Sequence, residues 1–172
     1  MKTVYVNGNI NCGVAGTSPL QAWIIMGDQL ILAQTWPAPN RELGPVGLAI
    51  DDMNENLFLS YEDGDTIEIL DAKSAFSLAN YQLALTDDLA GMVVHQTRNE
   101  LYVVDRNEPD VFVFDSTTYQ LMDHWQLETG AWGIDLLGDV LYVTDNTNIV
   151  SYYDIDTKSL LGTFDTGQTA VG

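Results

Sequence analysis

Carboxylates are the chemically capable side chains that this sequence gathers most densely. The stretch "EDGDT" brings Glu62, Asp63 and Asp65 together, "DRNEPD" brings Asp105, Glu108 and Asp110, and "DNTN" sets Asp145 beside Asn146 and Asn148. Hard oxygen ligands at this density suit Ca²⁺, which takes carboxylates and carbonyls in flexible geometry. None of the three stretches has the spacing of an EF-hand loop. Turns favour Asp and Asn in any case, so a solvated acidic surface accounts for the same residues without a metal.

Other reactive types are scarce. His95 and His124 are the histidines, and a base or metal ligand needs a converging partner that the neighbouring sequence does not supply. No G-x-S-x-G, H-E-x-x-H or glycine-rich phosphate loop is present, so no catalytic residue is assigned. Cys12 is the lone cysteine, which rules out an intrachain disulfide and a cysteine-based zinc cluster. Of the tryptophans, Trp36 in "TWPAPN" is the candidate for an exposed stacking surface. Trp125 and Trp132 are expected to pack in the interior.

Six basic residues stand against twenty-five acidic ones, a net charge of -19 over 172 residues. That surface repels nucleic acid and anionic membranes, both of which are bound through Lys and Arg. It serves solubility, or it attracts divalent cations or a basic partner. No apolar run is long enough to span a bilayer. The opening "MKTVYVNGN" lacks the apolar core of a signal peptide, so the chain either stays inside or is a mature form without its leader. The acidic, lysine-poor composition favours an extracellular, cell-surface or periplasmic protein.

The elements that position these residues come from a repeat. Segments starting at Gly47, Gly91 and Gly133 align with one another, and Leu57-Phe58-Leu59, Leu101-Tyr102-Val103 and Leu141-Tyr142-Val143 recur in register. A period near 40 with four short β-runs per unit predicts an all-β chain of β-propeller blades, about four of them, each a four-stranded antiparallel sheet. Within one repeat the strands are expected at Gly91–His95, Leu101–Asp105, Val111–Asp115 and Leu121–Leu127. Runs such as "VFVFD" are apolar on both faces because each sheet is sandwiched between two others. The repeated glycine marks close backbone approach near the axis. Asp71, Asp115 and Asp154 are assigned to turns, where an Asp side chain bonds the backbone two residues on.

The organisation read from this frame is one propeller domain. Residues 1–43 form a first blade lacking its innermost strand, 44–85 the second, 86–128 the third and 129–168 the fourth. Residues 169–172 begin a further innermost strand. The chain is expected to be part of a larger ring, or of one completed by another copy. "YVTDN" at Tyr142–Asn146 and "LYVVDRN" at Leu101–Asn107 resemble the YVTN/NHL/SMP-30-like propeller repeats. The resemblance implies surface or secreted binding proteins, subunits that dock redox partners, or metal-dependent lactonases, and no lactonase metal ligand carries over residue by residue.

Propeller ligands usually sit at one channel mouth, on the loops joining second to third strand and fourth strand to the next blade. Asp87, Asp88, Glu128 and Asp165 add to the carboxylates there. The expected ligand or partner contacts are Trp36, His95, Asp105 and Asp145. The Ca²⁺-like set is Glu62, Asp63, Asp65, Asp105, Glu108, Asp110 and Asp145. No cofactor is expected unless it is Ca²⁺. The functional expectation is a non-catalytic binding and assembly module for a protein partner or a second copy, with a metal-dependent propeller enzyme or a redox-partner subunit as the alternative.

Overall fold

The computed structural model describes residues 2–7 (as backbone), 20–36, 45–61, 65–83 and 88–169. Fifteen strands lie among them, and no helix there is long and apolar enough to cross a membrane. They form four antiparallel sheets in chain order. The first holds β1 (Lys2–Asn7), β2 (Leu20–Met26) and β3 (Gln29–Trp36). The second holds β4 (Pro45–Asp51), β5 (Asn56–Tyr61), β6 (Thr66–Asp71) and β7 (Ser77–Gln82). The third holds β8 (Leu89–His95), β9 (Glu100–Asp105), β10 (Asp110–Asp115) and β11 (Leu121–Gln126). The fourth holds β12 (Gly133–Leu137), β13 (Val140–Thr144), β14 (Ile149–Asp154) and β15 (Leu160–Asp165). Within each sheet every strand pairs with its sequence neighbours, and among the described residues the first sheet has three strands.

Alternation along the strands gives every sheet a front face, turned to the preceding sheet, and a back face, turned to the following one. Phe58, Ile67 and Ile69 on the back of the second sheet pack on Leu101, Val103, Phe112 and Phe114 on the front of the third. Tyr102, Val104, Val111 and Val113 on the back of the third pack on Leu141, Val143, Tyr153 and Ile155 of the fourth. Leu20 and Trp36 of the first sheet meet Leu57, Leu59 and Leu70 of the second. This two-sided burial is why the central strands read as unbroken apolar runs.

The inner strands β4, β8 and β12 lie side by side, and the repeated glycines are where they touch. A methyl group added at Gly47 would meet the Ala90 carbonyl oxygen at 2.1 Å, and one at Gly91 would meet the Gly133 Cα at 2.9 Å. The Gly91 amide donates to the Trp132 carbonyl at 3.0 Å. Only hydrogen fits at these two positions.

The outer hairpins share one device. Asp71 Oδ1 accepts from the amides of Lys73 and Ser74, Asp115 Oδ1 from Thr117 and Thr118, and Asp154 Oδ1 from Asp156 and Thr157. Four residues after each aspartate the backbone turns left-handed, at Ala75 (φ 54°), Tyr119 (φ 61°) and Lys158 (φ 60°). A register shift follows in all four outer pairs, a bulge that adds twist. The aspartates assigned to turns from the sequence do that work.

Candidate functional site

The loops between second and third strands and between successive sheets gather at one end of the inner strands. Leu89 at the start of β8 pairs with Asp105 there, whereas His95 pairs with Glu100 at the other end. Asp105 and Asp145 therefore share a mouth, and His95 belongs to the opposite one. His95 is largely covered, its Nε2 lies 3.4 Å from Asp139 Oδ1, and its Nδ1 is 3.3 Å from the Thr97 hydroxyl. It takes part in the joint between the third and fourth sheets.

Asp105 is not an open rim ligand. It is fully buried, and its Oδ1 accepts from the amides of Asn107 at 2.7 Å and Glu108 at 2.9 Å. The carboxylate shapes the loop in the way the outer Asp turns are shaped. Its backbone carbonyl accepts from Ala131 across the joint at 3.1 Å. Asp145 holds the corresponding loop of the fourth sheet, accepting from the Thr147 amide and hydroxyl at 3.1 and 2.5 Å, with the Thr129 hydroxyl 3.5 Å away.

Trp36, expected to be exposed, is half-buried. Its register partner is Leu20, and both face the core against the second sheet. Asp65 accepts from the Gln82 side chain at 2.9 Å, and Asp110 lies 3.0 Å from His124 Nε2, whose ring stacks on Phe112 at 4.9 Å. Glu108 is exposed. Glu62 and Asp63 lie outside the described residues. Among the described residues no three His, Cys, Asp or Glu side chains converge as a metal site would need.

The mouth holds one arrangement that the sequence did not signal. The Arg106 guanidinium lies over the Trp132 ring at 4.4 Å, a cation–π contact, and its Nη1 is 3.7 Å from Asp88 Oδ1. The Arg106 amide donates to the Asp88 carbonyl at 3.0 Å, which anchors the loop to the preceding junction. Trp132, expected in the packed interior, is 37 % exposed. Trp125 is buried as expected, tilted against Tyr153 at 5.7 Å. Glu108, on the loop that carries Arg106, and Glu128, on the connection that leads to Trp132, are both exposed. This mouth offers a partly exposed aromatic ring, one cation already engaged, and exposed carboxylates on its loops.

No family model matches the chain, and no curated protein does. Solved structures do. The chain is similar to glutaminyl cyclase of Myxococcus xanthus (TM-score 0.68, 12% identity, 97% of this chain and 75% of that one). It is similar to the WD40 repeats of RRP9 (TM-score 0.66, 14% identity, 95% of this chain and 56% of that one). It is also similar to hydrazine synthase of Kuenenia stuttgartiensis (TM-score 0.62, 19% identity, 76% of this chain and 38% of that one). The fold is a β-propeller. Its four sheets are blades of a partial ring, and among the described residues no strand of the fourth blade packs along a strand of the first. The chain spans little more than a third of the hydrazine synthase chain and little more than half of the RRP9 chain.

Proposed function

We propose that this propeller is a non-catalytic binding and assembly module that takes a basic segment of a protein partner at the Arg106–Trp132 mouth. The observation that supports it most is the division of labour among the carboxylates. Asp105 and Asp145 are engaged with their own loops, while Glu108 and Glu128 are exposed on the loops that carry Arg106 and lead to the exposed Trp132. Exposed acid next to an aromatic ring recognises Lys and Arg side chains by charge and by stacking. The net charge of -19 draws a basic partner toward that surface. Propeller neighbours such as the WD40 repeats of RRP9 are consistent with a rigid scaffold presenting loops. The same reading takes the protein as a YVTN/NHL-like repeat protein working outside the cytoplasm, at the cell surface or in the periplasm.

A peptide array graded in lysine and arginine content tests the mouth directly. Binding is expected to rise with basic content, to weaken as salt is added, and to fall several-fold in the double variant Glu108→Gln, Glu128→Gln. Binding indifferent to both salt and that substitution would overturn the reading.

A further inference from the structure

The joint between the second and third blades and the joint between the third and fourth use the same positions of the repeat in opposite ways. In the former, the Tyr119 ring lies edge-on to Phe58 at 6.2 Å, and the Asn56 side chain donates to the Tyr119 hydroxyl at 3.2 Å. Asn54 donates to the Thr117 hydroxyl at 3.1 Å. The space left beside Phe58, Tyr81 and Tyr119 is about 10 Å³, room for one water at most.

Those positions are charged one repeat later. Arg98 and Glu100 stand where Asn54 and Asn56 stood, Asp156 and Lys158 take the places of Thr117 and Tyr119, and Asp123 takes that of Ala79. Lysine does not refill the space of the ring. Lys158 Nζ pairs with Asp123, and the Arg98 guanidinium pairs with Asp139 and Asp156. A cleft of about 350 Å³ opens between these two consecutive blades, at the end of the inner strands opposite Arg106. Val113, Trp125 and Ile155 give it an apolar lining, and Glu100, Asp123 and Asp156 outnumber Arg98 and Lys158 around it.

We propose that this cleft is a binding site for a small organic cation, a short-chain alkylammonium compound. Both cations around it are already held by aspartates, so the group it lacks is a donor. Glu100 supplies the acceptor: its Oε2 takes the Tyr102 hydroxyl at 2.7 Å, and among the described residues its Oε1 has no hydrogen bond. Glu100 is half-buried and Tyr102 buried, so a charge-assisted bond formed there is little weakened by water. Burial and the Glu100 carboxylate push the Tyr102 hydroxyl above its ordinary range, which keeps it a donor at neutral pH. The volume lies at the small end of ligand sites, and the apolar lining suits a short methylene chain. This cleft is separate from the Arg106–Trp132 mouth, and its ligand is a free small molecule rather than a peptide.

Calorimetric titration of the whole chain with pentylamine, pentanol and pentanoate at neutral pH separates charge from chain length. Pentylamine is expected to bind about tenfold more tightly than pentanol, the worth of one charged hydrogen bond, and pentanoate not at all. Glu100→Gln keeps an acceptor for Tyr102 and is expected to weaken pentylamine by about tenfold with an unchanged melting temperature. Lys158→Tyr restores the ring where the backbone, at φ 60°, matches that of Tyr119 at φ 61°, and is expected to abolish binding by filling the cleft. Pentylamine that binds no better than pentanol overturns the proposal, and so does equal binding by the native chain and Glu100→Gln. A loss of the same size in Glu108→Gln, Glu128→Gln marks a general effect of surface charge and overturns it too. Where Lys158→Tyr fails to fold, Glu100→Gln still decides. Basic peptides at the mouth are scored separately and are expected to bind Glu100→Gln as they bind the native chain.

Discussion

The Ser116 hydroxyl donates to Asp51 Oδ2 at 2.6 Å across the joint between the second and third blades, and both residues are buried. Asp51 also accepts from the amides of Met53 and Asn54 and from the Asn54 side chain. Asn54 and Asn56 reach on to Thr117 and Tyr119 of the same neighbouring hairpin. The equivalent places in the next joint hold His95 and Ile155, and Arg98 there bridges to Asp139 and Asp156 at 2.5 and 2.6 Å. One joint is thus sealed by a buried polar network and the next by a more exposed ion cluster. Replacing Ser116 with Ala removes a donor from a buried carboxylate and is expected to cost about 1.5–3 kcal/mol in chemical denaturation. Arg98→Met at the exposed cluster is expected to cost about 1 kcal/mol or less, and the difference to shrink in salt.

Acid is expected to loosen these joints and turns. Asp51 works against its own burial, but hydrogen bonds from Ser116, Asn54 and Met53 hold its carboxyl below the usual range. Asp71, held by Ser74, Asp115, held by the Thr118 amide, and Asp154, held by the Thr157 amide, are lowered too. A carboxylate whose folded pKa is depressed contributes stability that is present above its unfolded value and is lost as pH falls through the folded one. Melting temperature should therefore hold down to about pH 4 and decline below it. A decline already complete at pH 5 would point to other groups.

The left-handed residues of the outer hairpins offer a gain. Ala75 carries a β-carbon at φ 54°, a conformation in which glycine avoids the steric cost. Glycine's larger unfolded-state entropy offsets part of the benefit. Ala75→Gly is expected to raise stability by up to about 1 kcal/mol, read as a higher denaturation midpoint with an unchanged slope.

Gly47→Ala is expected to do the reverse. The added methyl group lands 2.1 Å from the Ala90 carbonyl and 2.5 Å from the Ser60 hydroxyl, and that hydroxyl already bridges the Gly47 amide and the Ala90 carbonyl. The inner strands would have to separate, at a cost of about 3 kcal/mol for an overpacked site. Gly138→Ala is a useful contrast: its φ of 60° makes alanine strained, but the space around it is open, so about 1 kcal/mol is expected.

Asp105→Ala separates a loop role from a metal role. Loss of the two amide bonds to its carboxylate is expected to lower stability by about 2 kcal/mol, by the same amount in Ca²⁺ and in EDTA. A loss confined to Ca²⁺-containing buffer would show instead that the residue ligates the ion.

The repeat made the strands legible because its signals are local. Glycine spacing, the apolar triplets and the closing aspartates place β8 to β11 within a residue or two of their observed ends. The site was less legible, since the same local signals do not say which face of a two-sided strand meets which neighbour. Trp36 sits beside a Pro-rich stretch, yet its pairing with Leu20 turns it inward. Asp105 and Glu108 look alike in "DRNEPD", and only the loop's curvature makes one a buried acceptor and leaves the other exposed. Arg106 and Trp132 come together through the joint between two blades, which spacing within one repeat does not encode.

Because each blade meets the next through a back face on a front face, the packing among the described residues runs between adjacent blades. Adding or deleting a whole repeat would leave every remaining joint intact. The length of such a chain is then something that gene duplication changes in whole units, with no compensating substitutions elsewhere. Selection on this protein would act on two separable scales, the number of blades and the few mouth residues that distinguish one blade from another.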